Sequence, residues 1–313
     1  MTNSIVTTNA ELTTRPAIDT SILAGQVRQS TISMYKRDFA AYVDFAGNED
    51  NALNSATLAQ WRTVLSKTDK SPNTINRMLS SVRAVIKAAS EQGYINSEIA
   101  NKFENVKGVK VGALRQNLKQ DARTKISPTD MRRLCEAPDT TSLAGKMHHA
   151  LLLTLASSGL RVSEVTMLTP SQIIEKRTKD NKVGYIVRVT GKTDIEARDA
   201  QLNTEAYNAI QTWLTARPIE SKFIFTGFGG RGSRDPQANH IHQVSAWEIV
   251  KRYAAKCELD SIKPHDFRRF VGTELARVDP RQAQKALGHK SINTTFKHYV
   301  LDETEVGLTE ELF

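Results

Sequence analysis

The sequence predicts a mainly α-helical protein with one small β-sheet, divided between two domains. Three observations carry this. The chain has 313 residues, more than one ordinary core accommodates and enough for two. Apolar residues recur at three- and four-residue steps through most of it, between good helix caps. Only residues 183–202 switch to a period of two.

Residues 1–22 are rich in Thr and Asn and read as a disordered leader. Ser30 then opens a helical pattern in which Ile32, Tyr35, Phe39, Tyr42 or Val43, and Phe45 share a stripe that ends at Gly47. Ser55 caps a second helix with Leu58, Trp61 and Leu65 on its apolar side. A third runs from Ser71-Pro72 to about Gln92, with Ile75, Leu79, Val82, Val85 and Ile86 inward and Gly93 as its stop. Its other face carries Asn73, Asn76, Arg77, Arg83 and Lys87. A shorter helix covers Ser97 to Glu104. Residues 23–108 thus form an all-α domain.

Residues 109–125, VKVGALRQNLKQDARTK, are polar and basic with little periodicity, and read as a linker able to lie along a phosphate backbone. Ser127-Pro128 is a cap-and-proline start for the second domain, 126–300. A helix from Leu143 to Ser158 has a middle, ALLLTLA, apolar enough to be buried, and Gly159 ends it. YIVRV and a second extended run to about Gln201 flank the turn GKTD, on which Lys192 sits. Asn203 or Thr204 caps the next helix, and KFIF follows as a strand or buried strip. Gly227 to Gly232 spells GxGxxG after a plausible strand, but SRDPQANH follows where a dinucleotide site needs a helix, so a mobile basic loop is the better reading. Near the end, Asp279-Pro280 and Gly288 bracket a helix, Ser291 caps another, and Tyr299 lies at its far end. Residues 301–313 form an acidic tail with five acids and no base, whose Val306, Leu308, Leu312 and Phe313 could dock on a neighbouring subunit.

Composition narrows the function classes. Lys plus Arg number 43 against 34 Asp plus Glu, a net charge of +9 that points to a polyanionic partner. No window approaches the ~18 apolar residues of a membrane span, and the N-terminus lacks the form of a signal peptide, so a cytoplasmic, nucleoid-associated protein is expected. Two cysteines, Cys135 and Cys257, lie far apart and read as free thiols. No metal is expected: His148 and His149 are adjacent and cannot both face one site, and His240 and His242 have no third and fourth ligands nearby.

Three segments carry the chemistry. Gly159-Leu160-Arg161-Val162-Ser163-Glu164 and Pro264-His265-Asp266-Phe267-Arg268 each place charged groups three apart, on one helical face. Leu287-Gly288-His289 puts a histidine just past a helix end, ten residues before Tyr299. In this order, with Lys192 between the first two, they resemble the tyrosine recombinases, the phage-integrase and Xer-type family. The resemblance spans about 126–300 and extends through the N-terminal helices to about 25. Ten residues from His289 to Tyr299 is one more than the common step and is similar to integrases of mobile elements; Arg269 stands where many relatives have histidine.

The resemblance implies a SAM-like core-binding domain plus an α+β catalytic domain, closing as a C-shaped clamp on double-stranded DNA. It implies a site-specific recombinase acting through a 3′-phosphotyrosine and a Holliday junction, to integrate, excise or resolve DNA, as a tetramer on its sites and with accessory DNA-bending proteins. Tyr299 would be the nucleophile. Arg161 and Arg268 would clamp the non-bridging oxygens, and Lys192 would protonate the departing 5′-oxygen. His265 would exchange protons with the tyrosine, and His289 would hydrogen-bond the developing charge. Glu164 would orient its neighbours rather than carry a proton, and Asn73, Asn76, Arg77, Arg83 and Lys87 would meet DNA. No cofactor, neither metal nor ATP, is required. Alternatives are a type IB topoisomerase-like or telomere-resolving enzyme, or a binding protein that has lost catalysis.

Overall fold

The computed structural model describes residues 18–117, 126–177, 180–190, 197–229 and 235–299. The chain divides into two compact units, the first ending at Ala122 and the second beginning at Arg123.

The first unit is a helical bundle: α1 (Gln29–Ala46), α2 (Glu49–Ala52), α3 (Ser55–Ser66), α4 (Pro72–Glu91) and α5 (Ser97–Glu104). α4 is its centre. Ile75, Leu79, Val82, Val85 and Ile86 are fully buried on one stripe, against Phe39 and Tyr42 of α1, Leu58, Trp61 and Leu65 of α3, and Phe103 of α5. The Ser71 hydroxyl accepts from the Thr74 N–H to start α4, with Pro72 in the first turn where its missing N–H costs nothing.

Three expectations change here. Phe45 stays exposed; the three-then-four step Phe39, Tyr42, Ala46 puts Ala46, not Phe45, on the core face. Thr20–Leu23 forms a 3-10 turn whose Leu23 is buried, so the unit begins before residue 23, while residues 1–17 of the expected leader lie outside the described residues. The first half of the expected linker also belongs to the bundle. Val111–Asn117 is a kinked 3-10 segment, Leu114 is buried on α4, and the Asn117 amide donates to the Thr68 and Lys70 carbonyls. Leu114, Val109 and the Asn117 amide together dock a stretch without periodicity. Residues 118–125 lie outside the described residues.

The second unit contains α6 (Pro128–Glu136), α7 (Leu143–Ser158), α8 (Val162–Val165), strands β1 (Ile173–Arg177), β2 (Val183–Thr190) and β3 (Ala197–Leu202), α9 (Thr204–Ala216), the hairpin strands β4 (Thr226–Phe228) and β5 (Pro236–His240), then α10 (Gln243–Lys256), α11 (Pro264–Val278), α12 (Pro280–Leu287) and α13 (Ile292–Tyr299). α7 is buried on every side, Ala150 through Leu155 all lying in the core, as its uninterrupted apolar middle requires. β1, β2 and β3 form one antiparallel sheet in that order. β1 has no clear period in the sequence and was not expected. KFIF proves a buried strip: Ile224 and Phe225 are fully buried, and the Trp213 indole donates to the Ile224 carbonyl at 2.7 Å. The GxGxxG letters run into an antiparallel hairpin rather than a helix, and residues 230–234 lie outside the described residues. Both cysteines are free and buried. Among the described residues no helix is long and apolar enough to cross a membrane, and no three His, Cys, Asp or Glu side chains group as a metal site would.

Candidate active site

The site is assembled in the second unit where the ends of α7 and α12 meet α11 and β3. α7 stops because Gly159 adopts φ +60°, which an L residue with a side chain enters only at a cost. The chain then turns outward, and Arg161 becomes the residue preceding α8. Glu164, one turn on, folds back: its carboxylate accepts from the Arg161 N–H at 2.7 Å and from the Arg161 guanidinium at 2.9 Å. The carboxylate is nearly buried and the Arg161 side chain about one-third exposed, so Arg161 is held at both backbone and guanidinium while part of its side chain reaches solvent.

Arg268 is held from behind. It sits one turn into α11, is 2% exposed, and donates to the Gly159 carbonyl at 2.8 Å and to the Leu287 carbonyl. Those carbonyls end α7 and α12, where unpaired backbone oxygens and the helix dipoles favour a cation. Burial lowers the Arg268 pKa to about 10, with Arg161 and Arg198 adding to the fall and Tyr299 and Glu164 opposing it. At that value it stays charged at neutral pH.

His265 lies on α11 three residues before Arg268. Its pKa is lowered, first by partial desolvation and then by the nearby charges of Arg269, Arg268 and Arg161, against the opposing pull of Asp266. The surrounding guanidinium groups favour neutral imidazole, the form that can accept a proton.

α12 and α13 bring the last two groups together. Asp279 caps α12 by accepting from the Arg281 N–H at 2.8 Å, and Gly288 closes it at φ +64°. His289 follows; its Nδ1 lies 2.9 Å from the Thr295 hydroxyl, which is fully buried. Tyr299, at the end of α13, is 4% exposed and packs on Ala276, Ala283 and Leu287, its ring 5.2 Å from that of His289. Gly272 of α11 makes room: a Cβ there would lie 2.3 Å from Tyr299 Cδ1.

Arg161, Glu164, His265, Arg268, His289 and Tyr299 are therefore gathered in one unit. Lys192 lies outside the described residues, as do the turn that carries it and the tail 301–313. In the helical unit, Asn73 and Lys87 are exposed, Lys87 pairing with Glu91 at 3.9 Å, and the Arg83 Nε donates to the Leu79 carbonyl at 3.3 Å. Asn76 and Arg77 are used internally. The Asn76 amide exchanges two hydrogen bonds with the Val109 backbone, and Arg77, with Ser81, holds the buried carboxylate of Asp38.

Sequence reasoning missed Arg198, Gly272 and Thr295. Arg198 did have a signal. In the strand ARDAQL it is in phase with buried Ala200 and Leu202, and an arginine on the inward face of a strand needs a reason.

A profile of the phage integrase family matches residues 124–305, and one of the phage integrase N-terminal SAM-like domain matches residues 20–93. The chain belongs to the phage integrase family of tyrosine recombinases. Among curated relatives, tyrosine recombinase XerC of Corynebacterium glutamicum is 28% identical over 272 residues, covering 85% of this chain and 80% of its own. Tyrosine recombinase XerD of Xanthomonas axonopodis pv. citri is 27% identical over 283 residues, 86% of each. The fold is shared with XerH site-specific recombinase in a post-cleavage complex on palindromic difH substrate (TM-score 0.64, 19% identity, 86% of this chain and 75% of that one). It is shared also with a lambda integrase dimer bound to a COC′ core site (TM-score 0.63, 13% identity, 92% and 96%). The tyrosine recombinase fold thus accounts for both units.

Proposed function

We propose that this tyrosine recombinase cleaves and rejoins DNA at specific sites, with Tyr299 as nucleophile. The observation that carries the reading is the seating of Tyr299 against Leu287, whose carbonyl also accepts from Arg268, with the His289 ring tilted beside it at 5.2 Å. The phenolic oxygen attacks the scissile phosphorus in line. The bond from phosphorus to the 5′-oxygen breaks, a 3′-phosphotyrosine forms, and the departing 5′-oxygen takes a proton from Lys192. Neutral His265 takes the phenolic proton. Arg161 and Arg268 meet the non-bridging oxygens, where a planar fork donates to two oxygens at once. His289 stabilises the charge that develops on them.

The phosphotyrosyl ester keeps the energy of the bond it replaced, so a second 5′-hydroxyl can reverse the step without ATP, and the arginines supply the charge that a metal supplies elsewhere. Exchange between two duplexes through a Holliday junction, by four subunits, follows from running this step on paired sites. Asn73, Arg83 and Lys87 remain candidates for contact with the DNA backbone; Asn76 and Arg77 support the helical unit instead.

The test uses a nicked duplex bearing a site selected by this protein from random-sequence DNA. Cleavage beside the nick releases a short strand and traps the protein, giving an SDS-stable adduct. Tyr299→Phe binds the duplex and gives none. A mobility shift without adduct from the wild type would identify a binding protein that has lost catalysis.

A further inference from the structure

We propose that Arg198, on β3, is a positioning residue for cleavage: it holds Glu164 against the end of α12 and so keeps Arg161 directed at the phosphate. This rests on the reading of the site as a recombinase centre.

Arg198 lies opposite Val189 on the buried face of the sheet, and its side chain is 10% exposed. Nη2 donates to Glu164 Oε2 at 2.6 Å, and Nη1 reaches the Ala286 carbonyl, in the last turn of α12, at 3.5 Å. Its Nε is buried and has no hydrogen-bond partner among the described residues. The stem lies over Gly288, where an added Cβ would come within 2.4 Å of Arg198 Cδ and 2.5 Å of Nε. One guanidinium therefore joins β3, the carboxylate that anchors Arg161, and the turn that presents His289.

Glu164 is shared between two cations. Oε1 takes the Arg161 guanidinium and Oε2 takes both the Arg161 N–H and Arg198. A nearly buried carboxylate with Arg161 as its sole cation would compete with DNA phosphate for that guanidinium. Arg198 partly neutralises the carboxylate and fixes its place, so that Glu164 orients Arg161 without competing with the phosphate for its guanidinium. It also sets the local charge. Arg161, Arg198 and Arg268 against Glu164 leave a net positive charge behind the reacting phosphate, which becomes more negative as the phenolate oxygen adds.

The test compares wild type, Arg198→Gln, Arg198→Lys, Glu164→Gln and the double variant Arg198→Gln/Glu164→Gln. Single-turnover cleavage is measured at saturating nicked duplex, and Kd for the same duplex by mobility shift. Arg198→Gln should slow cleavage about 10- to 100-fold, the usual scale for losing a group that orients a reacting one, with Kd unchanged within about twofold. Arg198→Lys, which keeps the charge in the same buried place, should recover part of the rate. In the Glu164→Gln background Arg198→Gln should cost less than about threefold, because no carboxylate is left to neutralise. Normal cleavage by Arg198→Gln, rate losses that simply multiply in the double variant, or a Lys variant no better than Gln would overturn the role. If the wild type forms no adduct, the recombinase reading itself falls; if the wild type cleaves and the variants match it, only the role of Arg198 does.

Discussion

Gly272 and the ring of Tyr299 touch so closely that no side chain fits between them: a Cβ on Gly272 would stand 2.3 Å from Cδ1 and 2.5 Å from Cε1 of the tyrosine. A glycine inside a helix costs roughly 0.5–1 kcal/mol relative to alanine, and α11 carries that cost where the tyrosine needs the space. The backbone of one helix is thus the floor on which the tyrosine ring of another rests.

Gly272→Ala should accordingly separate folding from chemistry. Helix propensity favours the alanine, but the methyl group displaces the ring, and a shift near 1 Å at a reacting group can cost about 10²-fold in rate. Adduct formation should fall by that order while the Kd for DNA holds. Cleavage at the wild-type rate would mean that Tyr299 reacts from another position.

Arg161 and Arg268 should fail in different ways. Both changes to alanine remove a preorganised donor and should slow cleavage by roughly 10²–10³. Arg161 is partly exposed, and its nearly buried partner Glu164 keeps Arg198, so Arg161→Ala should melt near wild type. Arg268 is buried and satisfies the carbonyls that end two helices, so Arg268→Ala should also lower the melting temperature of the second unit. Equal thermal stability in the two variants would contradict this division.

Lys192 is tested through the leaving group. Lys192→Ala should cleave ordinary DNA slowly yet recover on a duplex with sulfur at the bridging 5′ position, since a thiolate departs without a proton. An equal defect on both substrates would limit Lys192 to holding DNA.

His148 makes the second unit sensitive to acid. Its Nδ1 meets the Tyr253 hydroxyl at 3.0 Å inside the core, and burial, helped by Arg252, pushes its pKa from 6.5 down to about 4. Between those values the unfolded chain binds a proton that the folded chain does not, so stability is full above pH 6.5 and is lost as pH falls toward 4. The loss is on the order of 3 kcal/mol at most. His148→Gln should lose less stability than wild type between pH 7 and pH 4.5, read from urea midpoints of the second unit. Parallel losses would assign the acid sensitivity elsewhere.

Local signals in the sequence determined most helices and their ends, because caps, prolines and glycines act within one turn of chain. Ser71-Pro72, Ser127-Pro128, Gly159 and Gly288 each mark a boundary the structure keeps. The same signals put Arg161, Arg268 and His289 beside helix ends, and order along the chain sufficed to relate them to a family. What only the tertiary structure decided depends on segments far apart in sequence. Asn76 looked like a surface amide until Val109 returned to pair with it, and the docking of Leu114 could not be read from a stretch without a period. Nothing in the sequence near Gly272 explains it; only α13 laying Tyr299 across it does. The strand's phase marks Arg198 as inward, but its partners Glu164 and Gly288, 34 residues before it and 90 after, are set only when β3 meets them. A cap is a short-range hydrogen bond that the chain writes locally; a buried ion pair or a ring on a backbone exists only when the fold closes.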